Sequence, residues 1–145
     1  MSNPTETPNT LVIERVFQHP LQKLWRALTE SPLLAQWMMN NDFEPVVGRK
    51  FQFRADPMPN WNGIVDCEVL IVEPLQRLSY NWGVGDGELH WVVNWTLRPV
   101  EGGTHVRMEQ SGFLPDQQTA YQGAKYGWQK FFHGLEQLLD KEMLG

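Results

Sequence analysis

The side chains best suited to metal binding or to proton transfer near neutral pH are four histidines, His19, His90, His105 and His133. A zinc site needs three or four ligands converging on one point. His133 has polar side chains at helical spacing within the final helix, Glu136 and Gln137, and these fall near that helix's polar edge. No metal and no cofactor are expected. Asp66 and Glu68, two apart on one strand face, would divide acid and base roles if burial separated their pKa values. The apolar residues of that strand occupy the other face, so the pair is expected to meet water. His105, Arg107 and Glu109 obey the same alternation and read as a solvated charge ladder between strands. Ser31, Ser79 and Ser111 lack a base at the spacing of a nucleophile motif. Gly85-Asp86-Gly87 is too short to cradle a phosphate and leads into no helix. Cys67 alternates with apolar residues and reads as a small core side chain, since an active thiolate needs a nearby cation or helix N-terminus. No catalytic residue is assigned.

The elements that position these side chains follow from hydrophobic periodicity. Leu11–Gln18 is a strand whose apolar residues fall on both faces. Pro20 opens a helix over Leu21–Thr29, with Leu21, Leu24, Trp25 and Leu28 on one side. Ser31-Pro32 starts a second short helix, with Leu33, Leu34, Trp37 and Met38 as its stripe. Beyond Asn40-Asn41 the period becomes two. Phe43–Val46 reads as a weak strand, Lys50–Ala55 as a strand with Phe51 and Phe53 on one face, and Asp56–Asn60 as a loop. Asn62–Glu73 is a long strand with Val65, Cys67, Val69 and Ile71 in step and a bulge before Val65. Leu78, Tyr80 and Trp82 alternate in the next strand, and Gly83–Gly87 turns the chain. Leu89, Trp91, Val93, Trp95 and Leu97 share one face, the clearest strand pattern in the chain. Glu101-Gly102-Gly103 is a hairpin turn, after which Thr104, Val106, Met108 and Gln110 alternate. The last helix starts at Asp116 or Thr119, and Trp128, Phe131, Phe132, Leu135, Leu138 and Leu139 form its core-facing stripe. Short hairpin connections predict an antiparallel sheet and an α+β domain with a long C-terminal helix.

At 145 residues the chain fits one domain and buries roughly two-thirds of its unfolded surface. We expect residues 1–10 to be a mobile tail and 11–145 the domain. The net charge is −5, and no basic run supplies the counterion release behind nucleic-acid binding or the attraction to an anionic membrane. No apolar run approaches the ~18 residues of a membrane span. The N-terminus lacks the basic and apolar regions of a signal peptide, which points to the cytoplasm. A single cysteine permits no intrachain disulfide and fits a reducing compartment. Monomer and dimer both stay open.

The order of elements resembles the helix-grip fold of the START-like, Bet v 1-like superfamily. Within it the chain resembles the proteins homologous to the C-terminal domain of the activator of Hsp90 ATPase. The residues that carry the likeness are Glu14-Arg15-Val16-Phe17, Leu24-Trp25-Arg26-Ala27-Leu28-Thr29, Val72-Glu73-Pro74, Arg77-Leu78-Ser79-Tyr80, Thr96-Leu97-Arg98-Pro99, Gln110-Ser111-Gly112-Phe113 and Gly127-Trp128. The resemblance implies a sheet of about six to seven strands with the last helix across its concave face, and a cavity between them. By alternation Phe53, Tyr80, Trp82, Trp91, Val93, Trp95, Met108 and Gln110 face that cavity. Trp37, Met38, Phe113 and Trp128 close its mouth or line its wall. Tyr80 and Gln110 are the groups able to orient a ligand. The leading expectation is a non-enzymatic binder of a small hydrophobic or aromatic molecule, lipid- or polyketide-like. The family name implies an alternative, an Hsp90-type chaperone partner. A cyclase- or aromatase-like enzyme is the third reading, and it needs an acid or base inside the cavity. Gln110 cannot serve as one.

Overall fold

The computed structural model describes residues 10–59, 61–85 and 89–141. The expected tail lies outside these as far as residue 9, as do residues 86 and 87 of the expected glycine-rich turn. Seven strands and three helices follow in the order β1 (Thr10–Phe17), α1 (Leu21–Thr29), α2 (Ser31–Trp37), β2 (Asn40–Asn41), β3 (Lys50–Arg54), β4 (Ile64–Glu73), β5 (Arg77–Val84), β6 (Leu89–Val100), β7 (Gly103–Ser111) and α3 (Gln118–Asp140). The strands form one sheet in the order β1-β7-β6-β5-β4-β3-β2, every pairing antiparallel. The architecture is α+β and helix-grip: consecutive hairpins build the sheet, β1 joins its far edge, and α3 crosses its inner face. The inner face carries Leu11, Ile13, Phe51, Phe53, Val65, Cys67, Val69, Leu78, Tyr80, Trp82, Trp91, Val93, Trp95, Leu97, Val106, Met108 and Gln110, all buried. The two faces of β1 separate cleanly, with Val12 and Val16 exposed.

Two local expectations are corrected. Phe43–Val46 is not a strand, because side chains take over the ladder's hydrogen bonds. The two-residue β2 pairs Asn40 with Arg54 and Asn41 with Phe53. The Asn41 amide then donates to the Ser31 and Met39 carbonyls and accepts from the Phe43 N–H. Asp42 Oδ1 accepts the Gln52 N–H at 2.8 Å, where a neighbouring strand would otherwise offer a carbonyl. Short polar side chains of this kind compete with regular pairing. Phe43 still reaches the core from the loop, edge-on to Phe51 at 5.0 Å.

The second correction concerns β4. The strand begins at Ile64 rather than Asn62, and its irregularity falls between Val69 and Ile71 rather than before Val65. Asn62 Oδ1 accepts the Ile64 N–H, and Gly63 sits at φ +86 under the Ala55 carbonyl, so the chain is still turning there. At the true irregularity the parity changes. Val72, not Ile71, pairs with inward Leu78 and packs on the core.

Candidate functional site

The concave face is built in rows set by strand register. One row runs Val69–Tyr80–Val93–Gln110–Leu11, and the adjacent row toward the β5–β6 end pairs Trp82 with Trp91. On the other side of the first row, Leu78, Trp95 and Met108 lie abreast. Of the twelve residues expected at the site, eleven are buried, between 0% and 8% exposed; Met38, at the end of α2, is half-buried.

The rings form a connected wall. Phe53 packs on Tyr80 (6.1 Å) and Trp82 (5.5 Å), and Trp82 on Trp128 of α3 (5.3 Å). Trp128 meets Trp95 at 5.6 Å, and Trp95 meets Trp37 edge-on at 5.9 Å. Trp91 and Phe113 form a second pair, 5.1 Å apart, which Tyr121 of α3 extends. Such pairs contribute about 0.5–1.5 kcal/mol each beyond the area they bury. The space between helix and sheet is therefore occupied by side chains around Val93 and Trp95, both 0% exposed. Phe51, Phe43, Phe17 and Phe132 join the same wall. The period-two pattern of β3 and the α3 stripe carried the signal for Phe51 and Phe132. Phe43 reaches the wall from a loop that has no such pattern.

Tyr80 and Gln110 are held by indoles. Trp95 Nε1 donates to the Tyr80 hydroxyl at 3.0 Å, and Trp128 Nε1 donates to Gln110 Oε1 at 2.7 Å. Burial pushes the Tyr80 phenol above its ordinary range, and the hydrogen bond from Trp95 opposes this only in part. Tyr80 is thus a neutral hydroxyl. Burial, with the nearby Asp66 and Asp42 charges adding to it, likewise raises the Cys67 thiol, so Cys67 is no nucleophile. Trp37 Nε1 donates to the Ala27 carbonyl and fixes α2 on α1. Trp91 Nε1 donates to Gln117 Oε1 at 3.3 Å, and the same oxygen accepts the Leu114 N–H, pinning the β7–α3 connection.

Among the described residues the buried polar side chains are Lys23, Thr29, Ser79, Thr104 and Gln110, with no His, Asp or Glu. Nor do the described residues group three or more metal-type ligands. Glu14 joins the outer-face ladder, accepting from His105 (2.8 Å) and Arg107 (3.2 Å), and Arg107 also pairs with Glu109 at 2.7 Å. The hydrogen bond to Glu109 raises the Arg107 pKa.

Two features escape sequence reading. At the β5–β6 end, a cleft of about 500 Å³ is lined by Pro57, Met58, Pro59, Trp61, Val84 and Leu89, with Asn62 and Gly85. Val84 pairs with Leu89 one step beyond the Trp82–Trp91 pair, so the cleft adjoins the aromatic wall. At the opposite end, His19 Nε2 meets Asp140 of α3 at 2.9 Å, and Lys23 Nζ meets His19 Nδ1 at 3.1 Å. Neither feature has a local pattern: the first joins two separate loops, and the second spans 121 positions of sequence.

The helix over this wall is uneven. Trp128, Phe132, Leu135, Leu138 and Leu139 are buried, whereas no side chain from Gln118 to Gly127 is. Phe131, expected in the stripe, is half-buried.

The chain matches known proteins across nearly its whole length. It is 54% identical to protein MLL2253 from Mesorhizobium loti, over 91% of this chain and 97% of that one, with a TM-score of 0.85. NE0264 from Nitrosomonas europaea shares the fold at 22% identity and a TM-score of 0.79, over 98% and 99% of the two chains. DynU16, from the dynemicin biosynthetic locus, shares it at 24% identity and a TM-score of 0.77, over 91% of this chain and 47% of that one. No curated protein matches the chain. The family model described as "Activator of Hsp90 ATPase homolog 1-like protein" matches residues 18–140. With seven antiparallel strands gripping one long helix and that match spanning α1 to α3, the chain belongs to the family of Activator of Hsp90 ATPase homolog 1-like proteins.

Proposed function

We propose that the protein binds a small apolar, aromatic molecule between α3 and the concave sheet face, admitted through the cleft at the β5–β6 end. The observation that carries this reading is the continuity of the apolar surface. It runs from the cleft's Trp61, Val84 and Leu89, past the Trp82–Trp91 pair, to Tyr80, Trp95 and Trp128. A pocket of this kind takes a flat ligand by stacking, with few polar groups to orient it. Entry requires rings to swing aside, and the α3 segment from Gln118 to Gly127 buries no side chain fully, Ala120, Tyr121 and Ala124 only in part, so it is the wall that yields at least cost. Phe53, Trp82, Trp91, Val93, Met108 and Phe113 then line the space, with Trp37 and Met38 behind it. A hydrophobic library screened by thermal shift and by tryptophan quenching tests the reading. Saturable hits that move both signals are expected; a broad library that moves neither removes it.

A second reading, association with an Hsp90-type chaperone, is favoured by the family description matched over residues 18–140. It predicts retention of the chain by the chaperone and a changed ATPase rate. Absence of both removes that reading.

A further inference from the structure

We propose that the ligand of the helix–sheet compartment is a flat, neutral aromatic molecule bearing carbonyl-type oxygens, gripped by hydrogen bonds donated from Tyr80 and Gln110. The inference rests on reading the compartment as a ligand site. It begins from what the two indoles leave over. An indole N–H only donates. The atom of Gln110 that faces Trp128 must therefore be the amide oxygen, which turns the NH₂ group away from Trp128. The Tyr80 oxygen likewise accepts from Trp95, so its own hydrogen points elsewhere. Neither the Gln110 NH₂ nor the Tyr80 O–H has an acceptor among the described residues, although the two residues are 2% and 1% exposed. Buried donors are rarely left in this state. Every fully occluded side-chain nitrogen or oxygen among the described residues has a partner, so the Gln110 amide nitrogen borders water-sized space rather than sealed packing.

The placement of the two donors matches a planar ligand. Tyr80 and Gln110 are the immediate neighbours of Val93 in one row, one on each side. Two strand spacings separate their backbones by roughly 9.5 Å. Val93 is a small floor between them, and Trp82, Trp95 and Trp128 supply faces and edges for stacking. The available groups are donors, so the ligand must present acceptors. Lys23, the one buried cation among the described residues, lies against His19 at the far end, and Arg15, over the Phe132 ring, is exposed. A carboxylate would enter without a counter-charge, at high cost. Ring carbonyls supply an acceptor to each donor and stay neutral.

The test compares two probes of nearly the same outline, anthracene and 9,10-anthraquinone, by equilibrium dialysis against the full chain. The wild-type protein is expected to hold the quinone about tenfold more tightly than the hydrocarbon, the return on one to two donated hydrogen bonds. Tyr80→Phe and Gln110→Leu should each cut that preference severalfold, read as the ratio of the two affinities within each variant. Equal binding of the two probes by the wild type needs no variant and overturns the donor assignment while the compartment reading stands. So does a preference that survives both substitutions. If neither probe binds, this inference falls together with the compartment reading.

Discussion

Gln110 and Trp128 stand 18 positions apart in the chain, yet their side chains meet at 2.7 Å inside the core. Alternation along β7 was enough to place Gln110 on the inner face, and alternation along β5 did the same for Tyr80. Their partners were not legible. Which indole turns its N–H toward which oxygen depends on the crossing of α3 over the sheet, and no local pattern encodes that. Tyr80→Phe leaves the fully buried Trp95 N–H without an acceptor, so it should lower stability by about 1–3 kcal/mol in urea unfolding. The acids of the core also set a pH dependence. Burial holds the Cys67 thiol and the Tyr80 phenol protonated in the folded chain, whereas unfolding lets them ionise from ordinary values of 9.0 and 10.0. The unfolded chain then binds fewer protons. This contribution to stability is complete below about pH 9 and is lost as pH rises beyond it. Urea unfolding at pH 7, 9 and 10.5 should show the fall, less steep above pH 10 in Tyr80→Phe. A flat profile would contradict the buried, protonated assignment.

Among the elements, those with strong periodicity matched their sequence reading and those set by side-chain capping did not. α1, β6, β7 and the buried stripe of α3 follow the expected spacing. β2 moved because Asn41 and Asp42 use their side chains in place of strand pairing, and a two-residue strand leaves no period to read. The β3–β4 connection depends on Gly63, where a Cβ would come within 2.3 Å of the Ala55 oxygen at φ +86. Gly63→Ala should cost about 2–3 kcal/mol, seen as a lowered urea midpoint with unchanged slope. α3 is one helix with two regimes. Its first ten residues bury no side chain fully and include Gly123 and Gly127, each about 1 kcal/mol worse than alanine in a helix. Amide exchange across residues 118–127 should therefore be faster than across 128–139. Uniform protection along the helix would show that its N-terminal half is no looser than the rest.

For the molecule as a whole, element order and hydrophobic period were sufficient for an antiparallel sheet with a long last helix and an aromatic inner face, and the family resemblance supplied the helix's place across that face. The rim cleft was not legible, since Trp61 and Met58 come from one loop and Val84 and Leu89 from the ends of two strands. A shared fold does not name a ligand, so the central claim stands on where a ligand goes. The direct measurement follows the indole N–H resonances of the seven tryptophans during titration with a flat aromatic probe such as 9,10-anthraquinone. Binding between α3 and the sheet predicts that the Trp95 and Trp128 signals, whose N–H groups bond Tyr80 and Gln110, shift in a saturable way along with Trp82. Saturable binding that moves only Trp61 or Trp25, with Trp95 and Trp128 unchanged, would place the ligand on the surface and contradict the account.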